Sequence, residues 1–325
     1  MTFDGNCGDD GDGSERAGAR RIAVTGATGT VGRLVAQRLA EQRRHAVTLL
    51  SRDPVRARAA GLSGHVVGAD FEHEASVRRG LDGVDTVLVV TGNPLRPDHD
   101  ENIVLAARAA GVRHLVKLSA AAVEDPGAQD LITRWQRTAE ERIVGSPLAW
   151  TMLRPRSFMT HALAWREGIR RDGSVAALDC DSPNACIAPE DIADVAVRVL
   201  TGTGHEGRSY ALTGPQALTV RQQVATLSAL LGRDLRCVEL SPEQARERWR
   251  RRWPEPLVEA LAESADRQRV GAKAGVTQEV RLLTGRPAVP FAEWAGDRLD
   301  IFGAGDAKPL RPGISEVGGG SRGGA

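Results

Sequence analysis

The chain has 325 residues, with 43 basic and 42 acidic side chains and a net charge of +1. That length gives one large domain or two modest ones with ample core. So even a balance leaves no general basic field for nucleic acid. A single tyrosine, Tyr210, and only three lysines, Lys117, Lys273 and Lys308, leave almost nothing for chemistry that needs the two residue types together.

From Arg21 the pattern alternates. IAVTG (22–26) is a short apolar run ending in a glycine-rich turn, and VGRLVAQRLAEQ (31–42) carries apolar residues at helical spacing. HAVTLLS (45–51) reads as a strand, and a helix follows Asp53-Pro54. HVVGAD (65–70), VDTVLVV (84–90) and HLVKLS (114–119) are further strands, separated by helices at 73–81 and 98–110. A helix at 130–144 leads into the strand LAWTMLRP (148–155). Buried strands alternating with helices predict an open, doubly wound parallel sheet.

After Pro155 the rhythm loosens. PEDIADVAVRVL (189–200) is a clear helix, followed by a strand SYAL (209–212), a helix at 218–232 and one more strand, LRCVEL (235–240). SPEQARERWRRRW (241–253) opens with a Ser cap and Pro at the first helical position. The last helices span 255–267 and 291–302. The basic run ARERWRRRW (245–253) alternates Arg with Glu and Trp, which is the pattern of a solvated helix face with apolar anchors.

The four cysteines, Cys7, Cys180, Cys186 and Cys237, form no CxxC and have no His at metal spacing, so they read as reduced thiols of a cytoplasmic protein without a metal site. No run of about 18 apolar residues spans a membrane, and the polar N-terminus lacks the apolar segment of a signal peptide. Residues 1–20 and the Gly-rich tail 303–325 read as disordered. Between them lie a dinucleotide-binding core at 21–155 and, at 156–302, the remaining core elements with a small substrate-binding portion.

TGATGTVG places Gly26, Gly29 and Gly32 directly after a strand and at the start of a helix, the context that lifts a glycine motif above chance. Gly26 permits the tight turn, Gly29 lets backbone amides approach a pyrophosphate, and Gly32 lets the helix pack close on the sheet. Thr28 and Thr30 lie in the same turn, and the helix N-terminus offers N–H groups to phosphate. At the end of the second strand, Ser51 and Arg52 favour the 2′-phosphate of NADP. Asp53 is the competing residue, able to take a ribose, though Asp53-Pro54 more simply starts a helix. Arg33 is either a second phosphate contact or an exposed helix residue. Asp70 ends the third strand, where an acid can take the adenine amino group. Thr91, Gly92 and Asn93 end the fourth, where small residues admit a ribose.

The ordered series TGATGTVG, VKLSAAA, AEERIVGSPLAWTMLRPRSFM, PEDIADVAVRVL, RSYALTGPQALTV, VRLLTGRP and FAEWAGD resembles NmrA-like atypical short-chain dehydrogenase/reductases, over roughly residues 21–302. The resemblance implies a Rossmann-type α/β fold, NADP(H) as cofactor, and a smaller C-terminal portion covering the substrate. Such proteins divide into NAD(P)H-dependent reductases of quinones, ketones, azo compounds or benzylic ethers, and dinucleotide sensors without turnover.

In the related short-chain dehydrogenase site a Tyr donates the proton and a Lys four residues on lowers its pKa. By register, Ile132 and Gln136 fall in those two places, while Tyr210 lies in a late strand. Ser119, at the end of the fifth strand, matches the family Ser and reaches cofactor as well as substrate; Lys117, two residues earlier, need not reach the site. Gln136 either holds the cofactor or is solvated. Arg154 and Pro155 match the family's strand-ending pair, with Arg154 at the cofactor. Trp135, Phe158, Met159, His161 and Trp165 could line a pocket for a flat apolar substrate, or be plain core, with His161 the best remaining proton donor.

These features point first to an NADPH-dependent reductase of a small aromatic, ketone or quinone-like molecule, in a setting such as secondary metabolism. The alternatives are an NADP(H)-sensing regulator and a non-redox isomerase or cyclase on the same fold. The expected partner is a small molecule, with no nucleic acid or membrane, and the assembly a monomer or homodimer.

Overall fold

The computed structural model describes residues 18–303. The segments expected to be disordered fall mainly on 1–17 and 304–325, outside the described residues. Arg20, placed in that disordered head by the sequence, is instead tied down: its guanidinium donates to the carbonyls of Leu200 and Gly202.

The chain divides into two compact units. One contains the residues up to Arg156, Pro189–Thr213 and Thr277–Ala288; the other contains Ser157–Ala188, Gly214–Val276 and the residues from Val289. The first unit runs β1 (Arg21–Thr25), α1 (Thr30–Gln42), β2 (Ala46–Ser51), α2 (Pro54–Ala59), β3 (His65–Gly68) and α3 (Glu74–Gly80). It continues through β4 (Thr86–Val89), α4 (Asp98–Ala109), β5 (His114–Leu118), α5 (Leu131–Val144) and β6 (Ala149–Pro155). The second unit contributes α6 (Arg166–Asp172) and β7 (Ser174–Ala177), after which α7 (Pro189–Thr201) and β8 (Arg208–Leu212) return to the first. Then α8 (Val220–Leu231), β9 (Arg236–Glu239), α9 (Pro242–Arg250) and α10 (Glu255–Arg269) build the second, α11 (Glu279–Thr284) the first, and α12 (Phe291–Gly296) and α13 (Leu299–Phe302) the second. Short 3-10 turns lie at Ala121–Glu124 and Met159–Trp165.

The first unit is a seven-stranded sheet in the order β3-β2-β1-β4-β5-β6-β8, every pair parallel. Strand order reverses between β1 and β4, which opens a crevice at their carboxyl ends. Every residue of β4 and β5 is buried, because helices cover both faces of a parallel sheet. The α5 helix starts where the Asp130 carboxylate accepts from the Ile132 and Thr133 amides. The α11 segment joins this unit through Arg286, which pairs with Asp191 at 2.8 Å and with Asp194. Thr277 adds hydrogen bonds to Thr213 and the Ala211 carbonyl.

The second unit has a two-stranded parallel sheet, β7 with β9, and its own apolar cluster around Met159, Ile169, Phe291, Trp294 and Phe302. LRCVEL is a strand as expected, and its partner is β7. Capping boxes at Thr219 and Ser241 start α8 and α9. The helix expected over 241–253 ends at Arg250, and the one over 291–302 is two short helices. The basic run is laced to acids: Arg246 to Glu259, Arg250 to Glu255, Arg251 to Glu247.

Two cysteines expected as free thiols are not. Cys180 and Cys237 form a disulfide, while Cys186 is half-buried and lies outside that bond. Spacing could not show this, since the pair is 57 residues apart in sequence and brought to a Cα separation of 6.5 Å by the β7–β9 pairing. Among the described residues no helix is long and apolar enough to cross a membrane.

Candidate functional site: a dinucleotide groove

The groove begins at the turn after β1. The Thr25 hydroxyl donates to the Leu88 and Val90 carbonyls and accepts from the Val90 amide at 2.7 Å, locking the end of β1 to the end of β4. Gly26 has φ +60°, and a Cβ there would stand 2.9 Å from the Val90 carbonyl oxygen. A Cβ on Gly32 would lie 2.3 Å from the Gly26 oxygen, so only glycine lets α1 pack this close to the turn. Gly29 is the N-cap of α1 and supplies no side-chain cap, which leaves first-turn amides, Thr30 among them, for a phosphate.

Beyond the turn is a groove of about 500 Å³, walled by Gly26, Thr28, Ser51, Arg52, Arg56, Phe71, Val90, Thr91, Gly92, Asn93 and His99, among others. A Cβ on Gly92 would meet nothing within 4 Å, so this wall faces open space. Ser51 and Asp53 close a local turn: the Ser51 hydroxyl accepts from the Asp53 amide and donates to its carbonyl. The Asp53 carboxylate caps α2 through the Arg56 amide. Asp53 is thus committed to starting the helix, while the exposed guanidiniums of Arg52 and Arg56 face the groove as its cations.

Asp70 was expected at the adenine. Its carboxylate accepts from the Glu72 amide at 3.1 Å, and its neighbour Phe71 lines the groove. Phe71 meets His99 edge-on with ring centroids 6.2 Å apart. His99 is 6% exposed, and its Nε2 has no hydrogen-bond partner. Sequence reasoning missed Arg56, Phe71 and His99. Arg56 was legible as the next basic residue after Arg52, whereas His99 reaches the groove only through the placement of α4.

Ser119 and Gln136 are both 6% exposed and leave Ser119 Oγ and Gln136 Oε1 without a partner. A buried polar atom without a partner calls for an explanation, and a bound ligand is one of them. Trp135, expected as a pocket wall, is 7% exposed and donates from Nε1 to Asp100 at 2.8 Å. Lys117 reaches further than its place in the strand suggests: its Nζ lies 3.3 Å from Thr91 Oγ1 on the groove wall. Burial draws the Lys117 pKa below its ordinary value, with Asp100 opposing. Arg154, expected at the cofactor, has its fork occupied by Glu140 on two bonds and by Glu124. Arg33 is exposed, and its amide donates to the Gly29 carbonyl at 3.0 Å. Tyr210 sits on β8 with its hydroxyl 2.9 Å from His205 Nδ1.

The remaining expected substrate residues lie in the second unit. Met159 is buried in its apolar cluster, and Trp165 packs against the same cluster. Phe158 and His161 stack with centroids 6.2 Å apart. His161 is exposed.

A turn whose Gly26 and Gly32 admit no Cβ, a helix N-terminus without a side-chain cap and exposed cations on the groove wall fit a nucleotide with two phosphates. The first unit is a Rossmann-type dinucleotide-binding fold. The model of an NAD(P)H-binding family matches residues 26–203. The chain is 51% identical over 281 residues to the (4-alkanoyl-5-oxo-2,5-dihydrofuran-3-yl)methyl phosphate reductase of Streptomyces griseus subsp. griseus, over 86% of this chain and 99% of that one. It is 36% identical to the NAD(P)H azoreductase of Xenophilus azovorans, over 87% and 99% of the two chains. The solved structure of an NADPH-dependent quinone oxidoreductase of Escherichia coli complexed with NADPH matches with a TM-score of 0.76 at 26% identity, covering 86% of this chain and 99% of that one. The chain belongs to the NAD(P)H-binding, NmrA-like atypical short-chain dehydrogenase/reductases, and is an NAD(P)H-dependent oxidoreductase.

Proposed function

We propose that this protein uses NADPH to reduce a small substrate whose C=C bond is polarised by neighbouring carbonyls, of the acyl-butenolide phosphate type. The observation that supports this is a dinucleotide groove in a chain whose α5 helix carries no Tyr or Lys, with Ile132 and Gln136 at the places the family register gives to that proton-donating pair. Reduction of an isolated ketone makes an alkoxide, which needs an acid as hydride arrives. Hydride addition to the β-carbon of an alkene conjugated to a lactone and an acyl group makes instead a dicarbonyl-stabilised enolate. That anion can wait for a proton from solvent.

The bound dinucleotide supplies the hydride. The α1 amides and Gly29 receive its pyrophosphate, and Arg52 and Arg56 favour the 2′-phosphate of NADPH over NADH. Ser119 Oγ can donate to a developing enolate oxygen, and Gln136 Oε1 can accept from a cofactor or substrate N–H or O–H. The aromatic and quinone-like acceptors expected from sequence share the same electronic requirement, since each accepts hydride without a strong acid. Dependence on NADPH suits a cytoplasmic setting.

The test is NADPH oxidation by the purified full chain with four acceptors: an alkanoyl-butenolide methyl phosphate, a quinone, an azo dye and a simple aryl ketone. The butenolide is expected to be turned over fastest, with a product heavier by two hydrogens and one NADPH consumed per turnover. Fastest turnover of the simple ketone, or product without NADPH consumption, overturns the proposal. No oxidation with any acceptor, alongside tight NADPH binding, points to the sensor alternative.

A further inference from the structure

Behind the groove wall lies a cluster that phosphate binding does not require. The Thr91 hydroxyl donates to Asp100, 2.9 Å from Oδ1 and 3.1 Å from Oδ2. It accepts from Lys117 Nζ at 3.3 Å. Asp100 also accepts from Trp135 Nε1 at 2.8 Å and faces Lys117 Nζ at 3.6 Å. Lys117 donates to the Leu118 carbonyl at 2.8 Å and stands 5.5 Å from the centre of the Trp135 ring. The Lys117 and Asp100 side chains are 0% and 1% exposed. Desolvating such a pair is costly, and apolar residues of similar volume would hold a fold as well. What apolar residues could not do is fix a hydroxyl on the groove wall in one orientation.

A threonine hydroxyl has one donor and two acceptor sites. Asp100 takes the donor and Lys117 one acceptor, so a single lone pair remains for a ligand. The ligand atom at Thr91 must therefore be a hydrogen-bond donor, which excludes the phosphates. Arg52 and Arg56 mark the adenosine end on the β2 side, whereas Lys117 and Trp135 belong to β5 and α5 on the other side of β4.

We propose that Lys117, Asp100 and Trp135 are the positioning network of Thr91, and that Thr91 accepts a hydrogen bond from the nicotinamide half of the dinucleotide, a ribose hydroxyl or the carboxamide N–H. The inference rests on dinucleotide binding and not on the substrate proposed above, so it is tested without turnover.

NADPH affinity of the full chain is measured by fluorescence titration for Thr91→Val, Lys117→Met and the double variant. Each single change is expected to weaken NADPH about tenfold, and the double variant no more than either single one, because both remove the same bond. Thr91→Ser keeps the hydroxyl and should bind within about twofold of the parent. Adenosine 2′,5′-bisphosphate, which lacks the nicotinamide half, should bind Thr91→Val and parent equally by calorimetry. Should Lys117→Met fail to fold because Asp100 loses its counter-charge, Trp135→Phe removes one donor without unpairing a charge. Its expected weakening of about threefold should vanish in the Thr91→Val background. Additive losses, unchanged NADPH affinity in Thr91→Val, or equal weakening of the bisphosphate overturns the proposal.

Discussion

The two units reach order by different routes. The first is a continuous parallel sheet whose strands are buried on both faces, with a cluster running from Ala23 to Met152. The second has two strands of four residues each, a cluster assembled from short helices, and a disulfide between its β9 and the segment after β7. A long sheet can hold itself by burial alone. A small unit with little regular structure gains from a cross-link that limits its unfolded ensemble.

The largest expected effect tests that contrast directly. Opening Cys180–Cys237, by Cys237→Ser or by a dithiol, should destabilise the second unit by about 4 kcal/mol on the chain-entropy account of a loop this long. Calorimetry should show one transition falling, while NADPH affinity, a property of the first unit, stays the same. A single transition that falls together with affinity would break the contrast.

Gly32→Ala strikes the other unit. Its Cβ would sit 2.3 Å from the Gly26 oxygen, with backbone on both sides of the clash. A loss of about 3 kcal/mol in urea unfolding and loss of NADPH binding are expected, with the disulfide still forming by thiol titration.

Acid should also act on the first unit. His114 Nε2 lies 2.9 Å from Thr151 Oγ1, whose own proton goes to the His205 carbonyl, so Nε2 carries the imidazole hydrogen. Burial pushes the His114 pKa from 6.5 down to about 4. Between those values the unfolded chain binds a proton that the folded one refuses. Stability is therefore complete above the upper value, falls as pH drops through the window, and levels below the lower one. The loss should be on the order of 3 kcal/mol, measured by denaturation against pH, and His114→Gln should flatten the slope.

The smallest effect concerns selectivity. Arg52→Gln should reduce the preference for NADPH over NADH by about tenfold, read as a ratio of affinities, with stability unchanged. An unaltered ratio would shift the discrimination to Arg56.

The sequence made the first unit readable because its signals are local. Gly26, Gly29 and Gly32 announce the turn within seven residues, and the runs for β1 to β6 lie within two residues of the observed strands. The second unit was harder. Four-residue strands and one-turn helices carry too little periodicity, so α6 and β7 went unseen and LRCVEL was assigned no partner. At the site, whatever the backbone builds was legible, and whatever distant side chains build was not. Asp100, Lys117 and Trp135 sit on three elements and meet only after the sheet has formed. The same reason moved Arg154 to Glu140 and Glu124, because no rule of spacing names a partner 14 or 30 residues away.

The return of the chain to the first unit through Arg286, Asp191 and Asp194 bears on the order of synthesis. The whole glycine turn and the carboxyl ends of β1, β4 and β5 are encoded before residue 120, yet β8 emerges from the ribosome only after the first stretch of the second unit, and the Arg286 clasp only after most of it. During translation the nascent nucleotide cradle therefore precedes the edge strand that finishes its sheet. For that interval the β6 backbone presents an unpaired flank, a moment when a chaperone, or a neighbouring nascent chain, would find it open.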